Sequence, residues 1–455
     1  NKKTTNMKKL ILLAAFAVCV MCAPRAQERE GWTALFNGRS LNGWTKLGGK
    51  AQYKVEGGAI VGVSTLGQPN TFLATKAEYG DFILEYEFKA EAGVNSGVQL
   101  RSHSDKAYRN GVVYGYQCEI DSPTTTASIY DEQRSGWLYN EPQIERDYRA
   151  GEWNKVRVEA VGNHIRVWLN GKPTVDMIDD KDAKGFIALQ VHEIGNNKAL
   201  AGRKVSWRNI FIKTTNLEKE LSAEISSIPQ ANHVANYLSK REAEAGWKLL
   251  WNGKDMKGWK SLDPNKDMKK GWTPTDGMLV IKPGSGAGDI ITEQKYRNFE
   301  LSIDFQITKG ANSGIKYFIS ENGSIGCEFQ LLDDDNHPDA KMGFNNNRRL
   351  GSLYDIIPAK GWANVDHYGW NTARIVVNLP PLPMPPLFLA VNVCKSSLRG
   401  MTSFFMAFMM ESVLLGSPKN AIFCAISPKN ITKKQLGTPS RFLYDQLPLI
   451  TSAIT

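Results

Sequence analysis

The chain is sparing with the residues that carry covalent and metal chemistry. It has six cysteines and six histidines in 455 residues. Cys19 and Cys22 lie near one end and Cys394 and Cys424 near the other, so the middle keeps only Cys118 and Cys327. One cysteine per domain builds no disulfide framework, and a lone cysteine among strand-forming residues is most simply a core filler. Long apolar runs are also missing: Leu10 to Met21 is short, and Met401 to Gly416 is interrupted by Glu411, where a spanning helix needs about 20 residues. There is no Gly-x-Ser-x-Gly elbow, no His-Glu-x-x-His, no paired Cys-x-x-Cys and no P-loop, which leaves the commonest hydrolase, zinc and nucleotide chemistries without support. The net charge of +10 sits at the two ends. Residues 1–26 hold five basic side chains and no acid, residues 379–455 hold seven against two, and the body between carries 44 of each sign. A neutral body has no general attraction for phosphate backbones, so nucleic acid is not an expected partner.

What is present begins with Lys8-Lys9, the apolar run, and then Cys22-Ala23-Pro24-Arg25-Ala26. That order predicts a secretory signal over 1–26. An internal repeat follows. The segment from Gly31 to Trp44 (GWTALFNGRSLNGW) recurs from Gly246 to Trp259 (GWKLLWNGKDMKGW). Later landmarks keep the same order: Asn95-Ser96-Gly97 with Asn312-Ser313-Gly314, Ile129-Tyr130-Asp131 with Leu353-Tyr354-Asp355, and Trp153-Asn154 with Trp370-Asn371. A spacing above two hundred residues means a duplicated domain, not a solenoid.

Each copy reads as strands. Phe82, Leu84, Tyr86 and Phe88 alternate with Ile83, Glu85, Glu87 and Lys89, and Phe299, Leu301, Ile303 and Phe305 repeat the pattern. Gly162-Asn163 and Asn170-Gly171 punctuate hairpins. The expected fold is all-β: two tandem jelly-roll sandwiches, 27–214 and 246–378, joined by a helical linker over 215–245. After Val377 the repeat stops and a proline-rich segment begins. The second sandwich is therefore expected to be incomplete, lacking its last strands, with residues 379–455 an unrelated and disordered tail.

The opening Gly-Trp-x-x-Leu-Phe-Asn-Gly-x-x-Leu-x-Gly-Trp, the Asn-Ser-Gly strand, the Tyr-Asp segment and the Trp-Asn ahead of a Gly-Asn-His hairpin resemble the 3-keto-disaccharide hydrolase family, over 31–213 and again over 246–377. The resemblance implies a concanavalin A-like jelly roll, secretion or a periplasmic location in a Gram-negative bacterium, and cleavage of glycosides oxidised at C3. A sugar 3-dehydrogenase would then supply the ketone in the same pathway.

The residues suggest a site independently. Polar side chains recurring on one face of neighbouring strands form a surface on which a sugar can bind. Gln99 and Arg101 alternate with Val98 and Leu100, Gln117 and Glu119 with Cys118 and Ile120, and Gln190 and His192 with Leu189 and Val191. Asp121, Tyr130, Glu132 and Arg134 add polar groups between them. Cleavage beside a ketone needs a base and a group that stabilises an enolate. His192 or Glu119 is the expected base and Arg101 or Arg134 the expected cation, with Gln99, Gln117, Asp121, Tyr130, Glu132 and Gln190 holding the sugar. No cofactor is expected. Asp333-Asp334-Asp335-Asn336 has the hard oxygens that calcium takes, yet such a run is more simply a solvated loop. The alternative to an enzyme is a non-catalytic carbohydrate-binding sandwich. Copy 2 keeps Glu328 and Gln330 but has Lys316 and Phe318 where copy 1 has Gln99 and Arg101, which makes copy 1 the better active-site candidate.

Overall fold

The computed structural model describes residues 29–320, 323, 325–360 and 368–379, together with the strands 388–393 and 422–426. The expected signal over 1–26 and most of the expected tail over 379–455 lie outside the described residues. The chain divides into two compact units, with the division between Ala231 and Asn232.

The first unit contains β1 (Thr33–Ala34), β2 (Trp44–Gly48), β3 (Gln52–Glu56), β4 (Ala59–Val63), β5 (Thr71–Tyr79), β6 (Phe82–Ala90), β7 (Ser96–His103), β8 (Tyr114–Ile120), β9 (Ile129–Glu132), β10 (Gly136–Tyr139), β11 (Asn154–Val161), β12 (His164–Leu169), β13 (Lys172–Ile178), β14 (Gly185–Val191) and β15 (Lys204–Lys213). They make two antiparallel sheets. One runs β13-β12-β11-β6-β15-β4-β3, with β1 added to β15; the other runs β10-β9-β8-β7-β14-β5-β2. The predicted alternation explains the packing between them. Phe82, Leu84, Tyr86 and Phe88 of β6 meet Val98, Leu100, Tyr116, Cys118, Ile187 and Leu189 of the second sheet in one buried core. Burying each large side chain contributes about 1.5–3 kcal/mol. Cys118 is a buried free thiol in that core, as its strand neighbours suggest.

The repeated opening motif is also explained. The Trp44 indole donates to the Leu35 carbonyl at 2.8 Å, and Trp259 donates to Leu250 at 2.8 Å. Asn37 and Asn252 each accept from the backbone amides two and three residues on, and Gly38 and Gly253 both take φ 77° to close the turn. The motif is a structural clasp made twice.

The linker differs from the helices expected over 215–245. It has a single 3-10 turn, Leu217–Lys219, and one helix, Lys240–Glu244, capped by Ser239 and Glu242. Between these, the chain lies against the first unit. Ile225 and Ile228 are buried in its core, Ser222 donates twice to Glu159, and Tyr139 donates to the Pro229 carbonyl at 2.7 Å. A helix of this length is marginal in water and Pro229 interrupts it, so apolar residues three apart serve an extended strap instead.

A two-residue strand, β16 (Ala231–Asn232), lies at the division. The second unit contains β17 (Trp247–Leu249), β18 (Trp259–Ser261), β19 (Trp272–Thr275), β20 (Met278–Ile281), β21 (Ile290–Thr292), β22 (Phe299–Phe305), β23 (Asn312–Ile319), β24 (Cys327–Leu332), β25 (Asn371–Val377), β26 (Phe388–Val393) and β27 (Ile422–Ile426). One sheet runs β18-β21-β26-β23-β24, the order of β2-β5-β14-β7-β8 in copy 1. The expectation that nothing after 378 belongs to the sandwich is therefore corrected. β26 occupies the place of β14, and its sequence, Phe-Leu-Ala-Val-Asn-Val, mirrors Phe-Ile-Ala-Leu-Gln-Val at 186–191. Among the described residues, what copy 2 lacks here is the β12–β13 hairpin. β27 lies beside β22 where copy 1 has β15, but pairs parallel instead of antiparallel.

Candidate active site

The outer face of the second sheet in copy 1 carries the candidate site. The register places Gln99 opposite Gln117, Gly97 opposite Glu119, and Gln117 opposite Tyr130. On the other side, Ala188 pairs with Gln99, so Gln190 falls beside Gly97 on the same face. Gln99, Gln117, Glu119, Gln190 and Tyr130 thus share one surface, as the alternation predicts.

A chain of hydrogen bonds runs across it. Ser102 Oγ donates to Gln99 Oε1 at 2.7 Å, Gln99 Nε2 to Gln117 Oε1 at 2.7 Å, and Gln117 Nε2 to Glu119 Oε2 at 3.0 Å. Gly97 makes room for it, because a Cβ there would fall 2.5 Å from Cγ and Cδ of Gln117. The chain ends on one oxygen of Glu119 and leaves the other free. Glu119 Oε1, both amide atoms of Gln190 and Asn95 Oδ1 are buried with no hydrogen-bond partner among the described residues. Native structures leave few buried polar atoms unsatisfied, and a cluster of four needs a reason. Burial pushes the Glu119 carboxyl up to about 7; the bond from Gln117 pulls it back, as to a lesser degree does the Asn95 side chain, which makes no hydrogen bond of normal geometry to it, while the charges of Asp121 and Glu132 add to the rise. It is poised to give or take a proton near neutrality.

His192 follows the end of β14 and is half-buried. Its Nδ1 lies 2.7 Å from the Glu193 carbonyl. A carbonyl only accepts, so Nδ1 carries the hydrogen and Nε2 is left to exchange a proton. Asp121 is exposed and ties a turn, its carboxylate accepting from Thr125 at 3.1 Å. Glu132 accepts from Asn70 Nδ2 at 3.3 Å. Asn70 precedes β5 and Glu132 ends β9, strands that are not neighbours in the sheet, so this bond ties together two segments distant in strand order.

Neither expected cation is there. Arg101 has φ 47°, and the β7–β8 register shifts between Leu100 and His103. This bulge turns the side chain off the face that Gln99 occupies, toward the end of the sandwich. There it donates to the carbonyls of Gly80 at 2.8 Å, Gly162 at 2.7 Å and Ala160 at 2.9 Å, and pairs with Asp81 at 3.1 Å. The bulge puts Ser102 in its place. Arg134 joins the same end of the sandwich. It bonds Asp131 at 2.7 Å and grips Asp182, which also bonds His103 at 3.1 Å. Both guanidiniums are structural clamps, and the period of two fails because a bulge breaks it.

Sequence reasoning missed Ser102, Asn70, Asn95 as a site residue, and Trp137. Trp137 stands opposite Tyr130 and packs edge-on against it, with ring centroids 5.1 Å apart. The acidic run of copy 2 is a structured loop: Asp333 accepts from the Gly310 amide at 2.7 Å and from Asn336 Nδ2 at 2.9 Å, and Asp334 from the Leu350 amide at 2.9 Å.

The sequence model of the family described as 3-keto-alpha-glucoside-1,2-lyase-like domain matches residues 31–213 and 246–382. A curated protein of Bacteroides thetaiotaomicron, named 3-keto-disaccharide hydrolase, is 37% identical over 154 residues, which is 29% of this chain and 52% of the relative. The chain thus spans about half the length of that relative. Among solved structures, a provisionally assigned glycosyl hydrolase from Parabacteroides distasonis is similar at 21% identity over 41% of this chain and 95% of that one, with a TM-score of 0.32. A carbohydrate-binding module from Bacillus subtilis is similar at 18% identity over 38% and 95%, with a TM-score of 0.28. No helix among the described residues is long and apolar enough to cross a membrane.

Proposed function

Since the chain belongs to the 3-keto-alpha-glucoside-1,2-lyase-like domain family, in two tandem copies, we propose that copy 1 cleaves glycosides bearing a ketone at C3, by elimination followed by hydration. The family supports a glycoside-related enzyme; the substrate and steps are our reading. The observation that carries it is Glu119: a buried carboxyl raised to about 7, held by Gln117 on one oxygen and open on the other.

A C3 ketone acidifies the proton on C2. Glu119 Oε1 removes that proton, and the electron pair moves into the C2–C3 bond and onto the ketone oxygen. As the ketone reforms, a C1–C2 double bond forms and the C1–O bond breaks, its electrons leaving with the departing oxygen, which takes up a proton. Water then adds across the double bond, hydroxyl to C1 and proton to C2, giving net hydrolysis. With Arg101 and Arg134 committed elsewhere, the Gln190 amide is the donor available to the enolate oxygen. His192 Nε2 is the group that exchanges a proton with the leaving oxygen.

The signal over 1–26 supports a secreted or periplasmic location, and a sugar 3-dehydrogenase is the class of enzyme that would supply the substrate. The test is Glu119→Gln, which keeps shape and the bond from Gln117 but removes the base. Turnover of a 3-keto-disaccharide should fall by about 10²–10⁴-fold, with substrate binding retained. Unchanged turnover would overturn the assignment. Binding without turnover in the unaltered protein would favour the non-catalytic carbohydrate-binding reading.

A further inference from the structure

The edge of the same sheet holds a feature that the cleavage chemistry does not use. β10 is an edge strand, and its pairing with β9 shifts between Trp137 and Tyr139. Residues two apart on a regular strand share a face, yet these two do not. Tyr139 is 2% exposed and packed in the core opposite Ile129. Trp137 pairs with Tyr130 on the outer face and is 45% exposed. The extra residue at the shift, Leu138, inverts the alternation and so holds the indole out of a core that its neighbour enters. Gly136, with φ 76°, leaves the Tyr130 ring uncovered at its side: a Cβ there would come within 3.7 Å of that ring.

Trp137 and Tyr130 meet at an interplanar angle of 78°, so the two rings form a corner at the edge of the outer face. Tyr130 lies directly across from Gln117, the residue that holds Glu119. Trp137 is therefore two strands across and two residues along from Glu119, roughly 12 Å, which is within reach of a ring attached beyond a bond cleaved at Glu119. An amphipathic ring with an apolar face is what such a corner takes.

We propose that Trp137 and Tyr130 form a subsite for the ring attached through the scissile oxygen, an aryl or pyranosyl leaving group. This rests on the reading of Glu119 as the base. The subsite selects substrates whose departing part is a ring over those whose departing part is a small alkyl group.

The experiment measures equilibrium binding of an aryl glucoside, a disaccharide and methyl glucoside by calorimetry to the full chain, to Trp137→Ala and to Trp137→Phe, alongside kcat and KM for their 3-keto forms. The expected result is affinity for the aryl and disaccharide ligands about tenfold weaker in Trp137→Ala, mostly kept in Trp137→Phe, and unchanged for methyl glucoside. On the kinetic side KM rises for the ringed substrates with kcat little altered. Equal affinities in all three proteins would overturn the subsite. If no protein cleaves a 3-keto substrate while the Trp137-dependent difference in binding persists, the cleavage reading fails and the subsite stands.

Discussion

Copies 1 and 2 keep the same sheet and exchange its chemistry. Gly97 faces Glu119 and Gly314 faces Gln330; Gln99 faces Gln117 and Lys316 faces Glu328. The acid and the amide have traded places, so the position of the raised carboxyl in copy 1 holds a neutral amide in copy 2. Lys316 pairs with Asp289 at 3.3 Å, where copy 1 runs its amide chain. The bulge is common to both. Arg101 and Phe318 hold equivalent positions with φ 47° and 61°, and the register shifts at each. Backbone irregularity has persisted through the duplication while the side chain on it changed from a buried clamp to a half-buried ring. The scaffold is therefore one inheritance and the side chains on it another, and among the described residues the proposed base has its counterpart in a neutral amide, Gln330.

The comparison breaks most readily by rewriting one copy as the other. Gln117→Glu combined with Glu119→Gln gives copy 1 the order of copy 2 and should lower 3-keto-glycoside cleavage by about a thousandfold. Glu328→Gln with Gln330→Glu in copy 2 should change the activity of the whole chain less than about twofold, since among the described residues Ser102 and the Gln99 relay have no equivalents assembled there. Steady-state rates on one substrate decide both, and equal losses would place the chemistry in copy 2 as well. Next in size is the clamp. Arg101→Met strands the carbonyls of Gly80, Ala160 and Gly162 and should destabilise copy 1 by about 3–5 kcal/mol in chemical denaturation. Phe318→Ala, at the matching site, should cost about 1 kcal/mol.

Much of this was legible in the sequence. Alternation alone places Gln99, Gln117, Glu119, Tyr130 and Gln190 on one face, because a regular strand has a period of two. It fails at Arg101 and at Trp137 for one reason: each sits at a bulge, and an extra residue reverses every facing beyond it. No composition signal marks either bulge. Arg134 looks equally free in sequence, and only the fold shows that Asp131 and Asp182 engage it. The β26 strand was readable, since residues 388–393 repeat the pattern of 186–191. Losing the β12–β13 hairpin moves it out of the constant spacing by which the other repeats are found.

A further effect separates the copies by pH. The Glu119 carboxyl stands at about 7 against an ordinary 4.5, so between those values the folded protein binds a proton that the unfolded chain has released. Stability contributed by this neutral carboxyl is complete below pH 4.5 and is lost as pH rises to 7, amounting to at most about 3 kcal/mol at 1.36 kcal/mol per pH unit. Gln330 in copy 2 has no such dependence, and Glu119→Gln should confer the same indifference on copy 1. The variant should match the parent in denaturant midpoint near pH 4.5 and exceed it above pH 7, gaining stability where it has lost turnover. A constant difference at all pH values would mean that Glu119 is ordinary, and would remove the physical ground for treating it as the base.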